Sequence, residues 1–333
     1  MSTVVMKVLR PTQSGLVEAW RALRGRALPY LMLVMTFLVA AVTIDGLTTW
    51  PSLRSLLVLA ALLGVASAGQ TLVILLGGID LSVPATIALG NVLTVQLSGR
   101  GWPLVLVLAA IATSAIAIGI VNGLASQLLR THPLVVTLAT GAIVIGLVQV
   151  MAQSQTAAVP EWISQVVSPG GQTLGMPIPM IVVVWALLAI VVVLALRFTA
   201  LGRSIYATGA SPEAARLALV RTRRVWVAAF TLAAGFGALS GIFLAGFTGT
   251  ASAAIGDPYL FLTIAAVVVG GTPLLGGSGG YGRTVVGVIV INLFTIILIS
   301  RGYSNNVQQI LLGLLIVLLV SVYGRQSHIR DHV

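Results

Sequence analysis

The stretch Gly77-Gly78-Ile79-Asp80-Leu81-Ser82 (GGIDLS) lies between two apolar runs, SLLVLAALLGVASAGQTLVILL (55–76) and VPATIALGNVLTVQL (83–97). Between Arg54 and Arg100 the only charged side chain is Asp80. A charge inside hydrocarbon is expensive, so one that persists marks either a helix end or a working site. The rest of the chain decides what surrounds it.

Of 333 residues, 58% are hydrophobic and 8% charged, and the mean hydropathy is +1.09. A soluble domain carries roughly a quarter charged residues. The composition is that of an all-α, polytopic membrane protein. Cysteine is absent, which excludes a disulfide framework and a thiolate metal site. Two of the three histidines, His328 and His332, fall in the last six residues, so no imidazole cluster is available for metal or acid–base chemistry.

Residues 1–27 are polar and basic and no small-residue cleavage site follows a short apolar core. Residues 28–47 therefore read as a retained first span and not a signal peptide. A crossing needs about 20 apolar residues. That rule predicts ten spans, at 28–47, 54–77, 84–98, 103–129, 133–152, 177–196, 225–247, 259–276, 284–300 and 307–323. The third is short for a full crossing, and the segment around Asp80 is expected to be broken or re-entrant.

With the N-terminal segment 1–27 on the cytoplasmic side, 15 of the 18 Lys and Arg residues fall in internal loops. Only Arg54, Arg100 and Arg301 fall outside. The asymmetry follows the positive-inside rule and places the tail 324–333 in the cytoplasm as well. The net charge of +11 is thus explained by orientation and lipid, without nucleic acid.

Two loops are long. The external one, 153–176, carries one acid, Glu161, and an amphipathic piece around Trp162. The internal one, RFTALGRSIYATGASPEAARLALVRTRR (197–224), contains a helix start at Ser211-Pro212-Glu213. Serine suits an N-cap, proline the first turn, and glutamate the positive end of the dipole. A short helix is expected from Pro212 to about Val220, with Gly202 and Gly209 breaking the chain before it. Its small and apolar residues want a partner. The alternative is an amphipathic helix lying on headgroups, with Arg216, Arg221, Arg223 and Arg224 facing anionic lipid.

Three segments together carry a resemblance: GQTLVILLGGIDLSVPATIALGN (69–91), LGRSIYATGASPEAARLALV (201–220) and IAAVVVGGTPLLGGSGG (264–280). In order and spacing they resemble the permease subunits of ribose/galactose-type sugar ABC importers, and VVTLATGAIVIGL (135–147) and AGFGALSGIFLAGFTG (234–249) are also similar. The resemblance implies a permease domain over 28–323 in a bacterial plasma membrane, paired with an identical or homologous permease. It further implies two cytoplasmic ATPase subunits and a periplasmic or lipid-anchored sugar-binding protein. ATPase docking then falls on Gly209, Ala210, Ser211, Pro212, Glu213, Ala214, Ala215, Arg216 and Leu217. The chain departs from the family pattern at Pro84, at Leu217-Ala218-Leu219-Val220, and at Gly256-Asp257-Pro258-Tyr259-Leu260, the last bearing on which solute is moved.

The chain itself reads as a non-enzyme. Its only lysine is Lys7, and G-x-x-x-x-G-K-[ST] is absent, so ATP is expected to be bound by partner subunits and no cofactor by this one. The glycine-rich 270–280 reads as a tight internal turn between spans. The competing class is an ion-coupled carrier of a small polar solute, which wants ionisable groups near the midplane. Asp80 is the one acid with depth.

Asp80 has two readings. Gly77-Gly78 can end one helix and Ser82 with Pro84 start the next, leaving the carboxylate at the positive end of the new dipole. Alternatively the broken segment dips into the protein, and Asp80 with Ser82 gates a path. Among the uncharged polar residues within spans, Gln70, Asn91 and Asn292 are the candidates for contact with a neutral, hydroxyl-rich solute. Interhelical hydrogen bonding, worth about 0.6 kcal/mol each, is the plainer role for such groups.

Overall fold

The computed structural model describes residues 13–129, 131–152 and 159–324. Most of the cytoplasmic segment 1–27, and all but the first residue of the tail 324–333, lie outside the described residues or have no described side chains. Every regular element described is a helix. In chain order these are α1 (Gln13–Thr43), α2 (Trp50–Leu75), α3 (Val83–Gly99), α4 (Leu104–Leu128), α5 (Pro133–Ala152), α6 (Glu161–Val167), α7 (Met180–Phe198), α8 (Ala200–Ala210), α9 (Pro212–Leu217), α10 (Thr222–Thr248), α11 (Tyr259–Val269), α12 (Tyr281–Ser300) and α13 (Asn305–Gly324).

Each of the ten predicted spans overlaps a helix, the eighth only in part. Six of them, α2, α4, α5, α7, α10 and α12, are long and apolar enough to cross a membrane. The remaining four are shorter apolar helices: Ala27–Thr43 of α1, α3, α11 and Asn305–Ser321 of α13. The chain is a multi-pass, all-helical membrane protein.

Burial sorts these helices sharply. The most apolar window of α2 is 89% buried, whereas those of α4 and α7 are 22% buried. Since lipid tails are as apolar as leucine, burying α2 gains little from hydrophobicity. Close packing and interhelical hydrogen bonds hold it instead. Small residues permit that packing. A Cβ on Gly69 would fall 2.7 Å from Ala233 Cα of α10, and one on Gly119 of α4 would run into Thr231 Cα. Helix α10 thereby lies backbone-to-backbone against α2 and α4, and also packs along α3. Lipid-facing α4 and α5 turn residues such as Val105, Val121, Ile143 and Val150 outward.

Polar pegs reinforce the bundle. On one side of α2, the Tyr281 hydroxyl of α12 donates to Gly64 O at 2.6 Å and accepts from Trp185 Nε1 of α7 at 2.9 Å. On another, Ser240 Oγ of α10 donates to Leu62 O at 3.1 Å. These bonds use carbonyls already inside the α2 ladder, through their second lone pair.

Two expectations change. Gly202 and Gly209 do not break the chain: both lie within α8. They are small because backbone presses on them, Gly202 against Leu196 O and Gly209 against Leu75 O. The eighth span, expected over 259–276, is helical only to Val269. At eleven residues, or about 16 Å, α11 covers roughly half of the ~30 Å hydrocarbon core. Replacing Gly119 by leucine should lower the thermal unfolding midpoint in detergent, for an overpacking cost of about 3 kcal/mol. An unchanged midpoint would show that α4 and α10 do not meet at that backbone contact.

Candidate functional site

Helix α2 stops at Leu75 through a turn that repays its last carbonyls. Gly77 N bonds Ile74 O at 2.9 Å, Gly78 N bonds Val73 O at 3.1 Å, and Gly77 takes φ +80°, which glycine adopts without penalty. The carbonyl of Leu75 is used by another segment: Gly277 N, in the glycine-rich turn after α11, donates to it at 2.9 Å. Gly209 of α8 lies against the same carbonyl, and Gly277 against Ala210. Tyr206 of α8 donates its hydroxyl to Gly279 O at 3.1 Å. Burial raises that phenol above its ordinary range, with Arg283 opposing, so it remains the donor at neutral pH. Three segments far apart in the chain thus lock into one platform at the end of α2.

The platform presents α9. Ser211 caps it, accepting from Ala214 N at 3.2 Å, and the left-handed Leu219 (φ +61°) turns the chain away after it. The helix ends at Leu217, short of the expected Val220. Gly209 and Ala210 sit in the joint behind it, and Ala215 is buried against the bundle. Pro212, Glu213, Ala214 and Arg216 face outward. Leu217 is 82% exposed and Leu219 90% exposed.

Beyond the turn, the chain between α2 and α3 is buried and non-helical. Asp80 Oδ1 accepts from Ser82 N at 2.8 Å and from the Ser82 hydroxyl. That hydroxyl in turn accepts from Asn122 Nδ2 of α4 at 2.9 Å, and Leu81 N donates to Thr137 Oγ1 of α5 at 3.0 Å. Asp80 lies at the start of α3, but Ser82 makes no capping bond to that helix, its hydroxyl being committed to the carboxylate. Asp80 Oδ2 and Asn122 Oδ1 are buried without a partner among the described residues.

A second irregular stretch, 249–258, was marked in the sequence only at its end, by Gly256-Asp257-Pro258, and its contact with α3 was not read. It joins α10 to the short α11 and packs along α3. Asn91 of α3 clamps it, Nδ2 donating to Thr250 O at 3.2 Å and Oδ1 accepting from Ser252 N at 2.9 Å. Further down, Gly256 lies against Pro84 O, about 22 Å along α3 from Gly99 at 1.5 Å per residue. The stretch therefore runs along α3, and α11 starts level with the first turn of α3. Several of its residues are exposed or half-buried. Backbone of this kind at depth is tolerated where protein or a water-filled cavity surrounds it. Little marked it beyond Gly249, Gly256, Pro258 and the low hydropathy between them.

The other candidates lie apart. Gln70 is buried on α2 with neither amide atom partnered among the described residues. Asn292 of α12 returns its amide to Val288 O at 3.1 Å, in its own helix.

A family model described as "Branched-chain amino acid transport system / permease component" matches residues 52–320. The chain belongs to this permease family. The permease is 32% identical to the fructose import permease protein of Rhizobium meliloti, over 89% of its own length and 84% of the relative's. It is 31% identical to the ribose import permease protein of Bacillus subtilis, covering 90% and 92%. The galactofuranose transporter permease protein of Escherichia coli K12 is also 31% identical, covering 80% and 78%. These are sugar permeases of the ribose type that the GGIDLS, internal-loop and glycine-turn segments imply. No solved structure matches the permease.

Since the chain has no cysteine, Ser252→Cys gives a unique reporter of the clamped stretch. Adding Asn91→Ala removes two hydrogen bonds and should raise its maleimide labelling rate roughly tenfold or more in folded protein. Equal rates would show that Asn91 does not hold the stretch down.

Proposed function

We propose that the chain is the membrane-spanning permease subunit of an ATP-binding-cassette importer in a bacterial inner membrane. It moves a monosaccharide or similar polar solute inward. An extracytoplasmic binding protein delivers the solute, two separate ATPase domains supply the energy, and a second permease, identical or homologous, completes the pathway. The ten helical segments cross as ten spans, with both termini cytoplasmic.

The observation that carries this reading is the platform with α9 upon it. A six-residue helix that leaves Leu217 and Leu219 exposed is an unmet apolar surface, fixed to the inner end of the most deeply buried helix. An ATPase that grips α9 therefore moves the end of α2. From there force reaches Asp80 and Ser82 at the α2–α3 break, and through Asn122 and Thr137 it reaches α4 and α5. The 249–258 stretch, held by Asn91, lines the path, with Gln70 and Asn292 offering uncharged hydrogen-bonding groups. Groups of this kind suit a neutral, hydroxyl-rich solute, and the relatives named for fructose, ribose and galactofuranose support that class.

Co-purification of the tagged chain from its native membrane tests the assembly. An ATPase, a solute-binding protein and a permease partner are expected by mass spectrometry. Leu217→Asp should reduce ATPase recovery roughly tenfold or more, as expected for an apolar interface anchor, while insertion is unchanged. A chain that purifies alone and drives uptake in liposomes under an ion gradient would overturn the importer in favour of a secondary carrier.

A further inference from the structure

The outer face of the α4–α10 crossing holds a groove of about 580 Å³, bounded at one end by α8. Ile120 and Leu124 of α4 form one wall, Val227 and Leu232 of α10 the other, and Arg223 and Arg224 stand at its upper rim. No acidic residue lines it. The groove exists because Gly119 and Gly123 bring α4 onto Thr231 and Val227 of α10, so the two helices touch at their backbones and leave a trough beside the contact.

We propose that this groove binds one anionic phospholipid from the leaflet on the arginine-rich side. Length supports it first. From Arg223 to Leu232 the groove runs about 14 Å along α10, close to half the ~30 Å hydrocarbon thickness and so to one leaflet. Charge supports it independently. Segment 197–224 holds Arg197, Arg203, Arg216, Arg221, Arg223 and Arg224 against the single acid Glu213. Arg223 and Arg224 occupy the first turn of α10, which has no acidic residue and no side-chain cap. Guanidinium groups there meet the positive end of the dipole, an arrangement disfavoured unless an anion sits between them. A phosphate at the rim satisfies both arginines, while its acyl chain fills the apolar trough. The proposal is independent of which solute is moved.

Native mass spectrometry of the full chain in mild detergent tests it, using phosphatidylglycerol and phosphatidylcholine of matched acyl chains. Wild type should retain phosphatidylglycerol roughly thirtyfold over phosphatidylcholine, the preference expected of two arginines near an anionic headgroup. Arg223→Gln with Arg224→Gln should abolish that preference, and the double lysine variant should keep most of it. Ala228→Trp, which fills the trough and leaves both arginines, should reduce retention of both lipids. Equal retention of the two lipids by wild type would overturn the proposal, as would a preference that survives the double glutamine variant. Displacement of phosphatidylglycerol by millimolar glycerol phosphate would also overturn it, by showing a phosphate site with no role for the trough. Unchanged lipid retention with lost ATPase capture in the glutamine variant would assign the arginines to the protein partner instead.

Discussion

A backbone that leaves the helix inside hydrocarbon must find partners for every N–H and C=O it exposes, because no water is there to take them. Among the described residues, this chain leaves the helix beside α3 in two places, the α2–α3 break and 249–258, and answers the exposed groups from within. At the α2–α3 break, Gly77 and Gly78 repay the last turn of α2, and Asp80, Ser82 and Thr137 answer the groups beyond it. At 249–258 the amide of Asn91 stands in for a neighbouring strand, accepting from one residue and donating to another two positions away. Both breaks sit against α3, a helix of seventeen residues that α10, α5 and α4 bury along nearly its whole length.

The six long apolar helices were legible because apolar length is a direct physical requirement, and the break at GGIDLS because a lone carboxylate between two glycines and a proline has few other places to be. Helix α9 was legible from Ser211-Pro212-Glu213 for the same local reason, although its end at Leu217 was not. What could not be read lay in contacts across the chain. Gly202 and Gly209 look like helix breakers in isolation, yet each is small because a distant carbonyl presses on it. The partner of Ser82 is Asn122, forty residues on, and no spacing rule connects them. The course of 249–258 along α3 depends on Asn91, which by sequence is only one amide among several. The polar residues inside spans can be listed from sequence; which bond each makes is a property of packing.

The two halves of the molecule differ in their means of cohesion. At the end of α2, that helix meets α8 and the glycine-rich turn through bare backbone, with the Tyr206 hydroxyl on Gly279 O added between the last two. In the bundle interior, side-chain pegs such as Tyr281 on Gly64 and Ser240 on Leu62 tie helices to one another without interrupting their ladders. Pegs of this kind can exchange partners as helices slide, since each takes up only a spare lone pair.

The joint at Leu75 behaves differently. Its members are a carbonyl, the N–H of Gly277 and the Cα of Gly209, none of which has a rotamer to change. Most protein contacts absorb a push of an ångström by swinging a side chain. This one has no such slack, and its mechanical compliance is that of peptide planes alone. A displacement imposed at α9 is therefore delivered to α2 nearly undiminished, as through a hinge pin with no play.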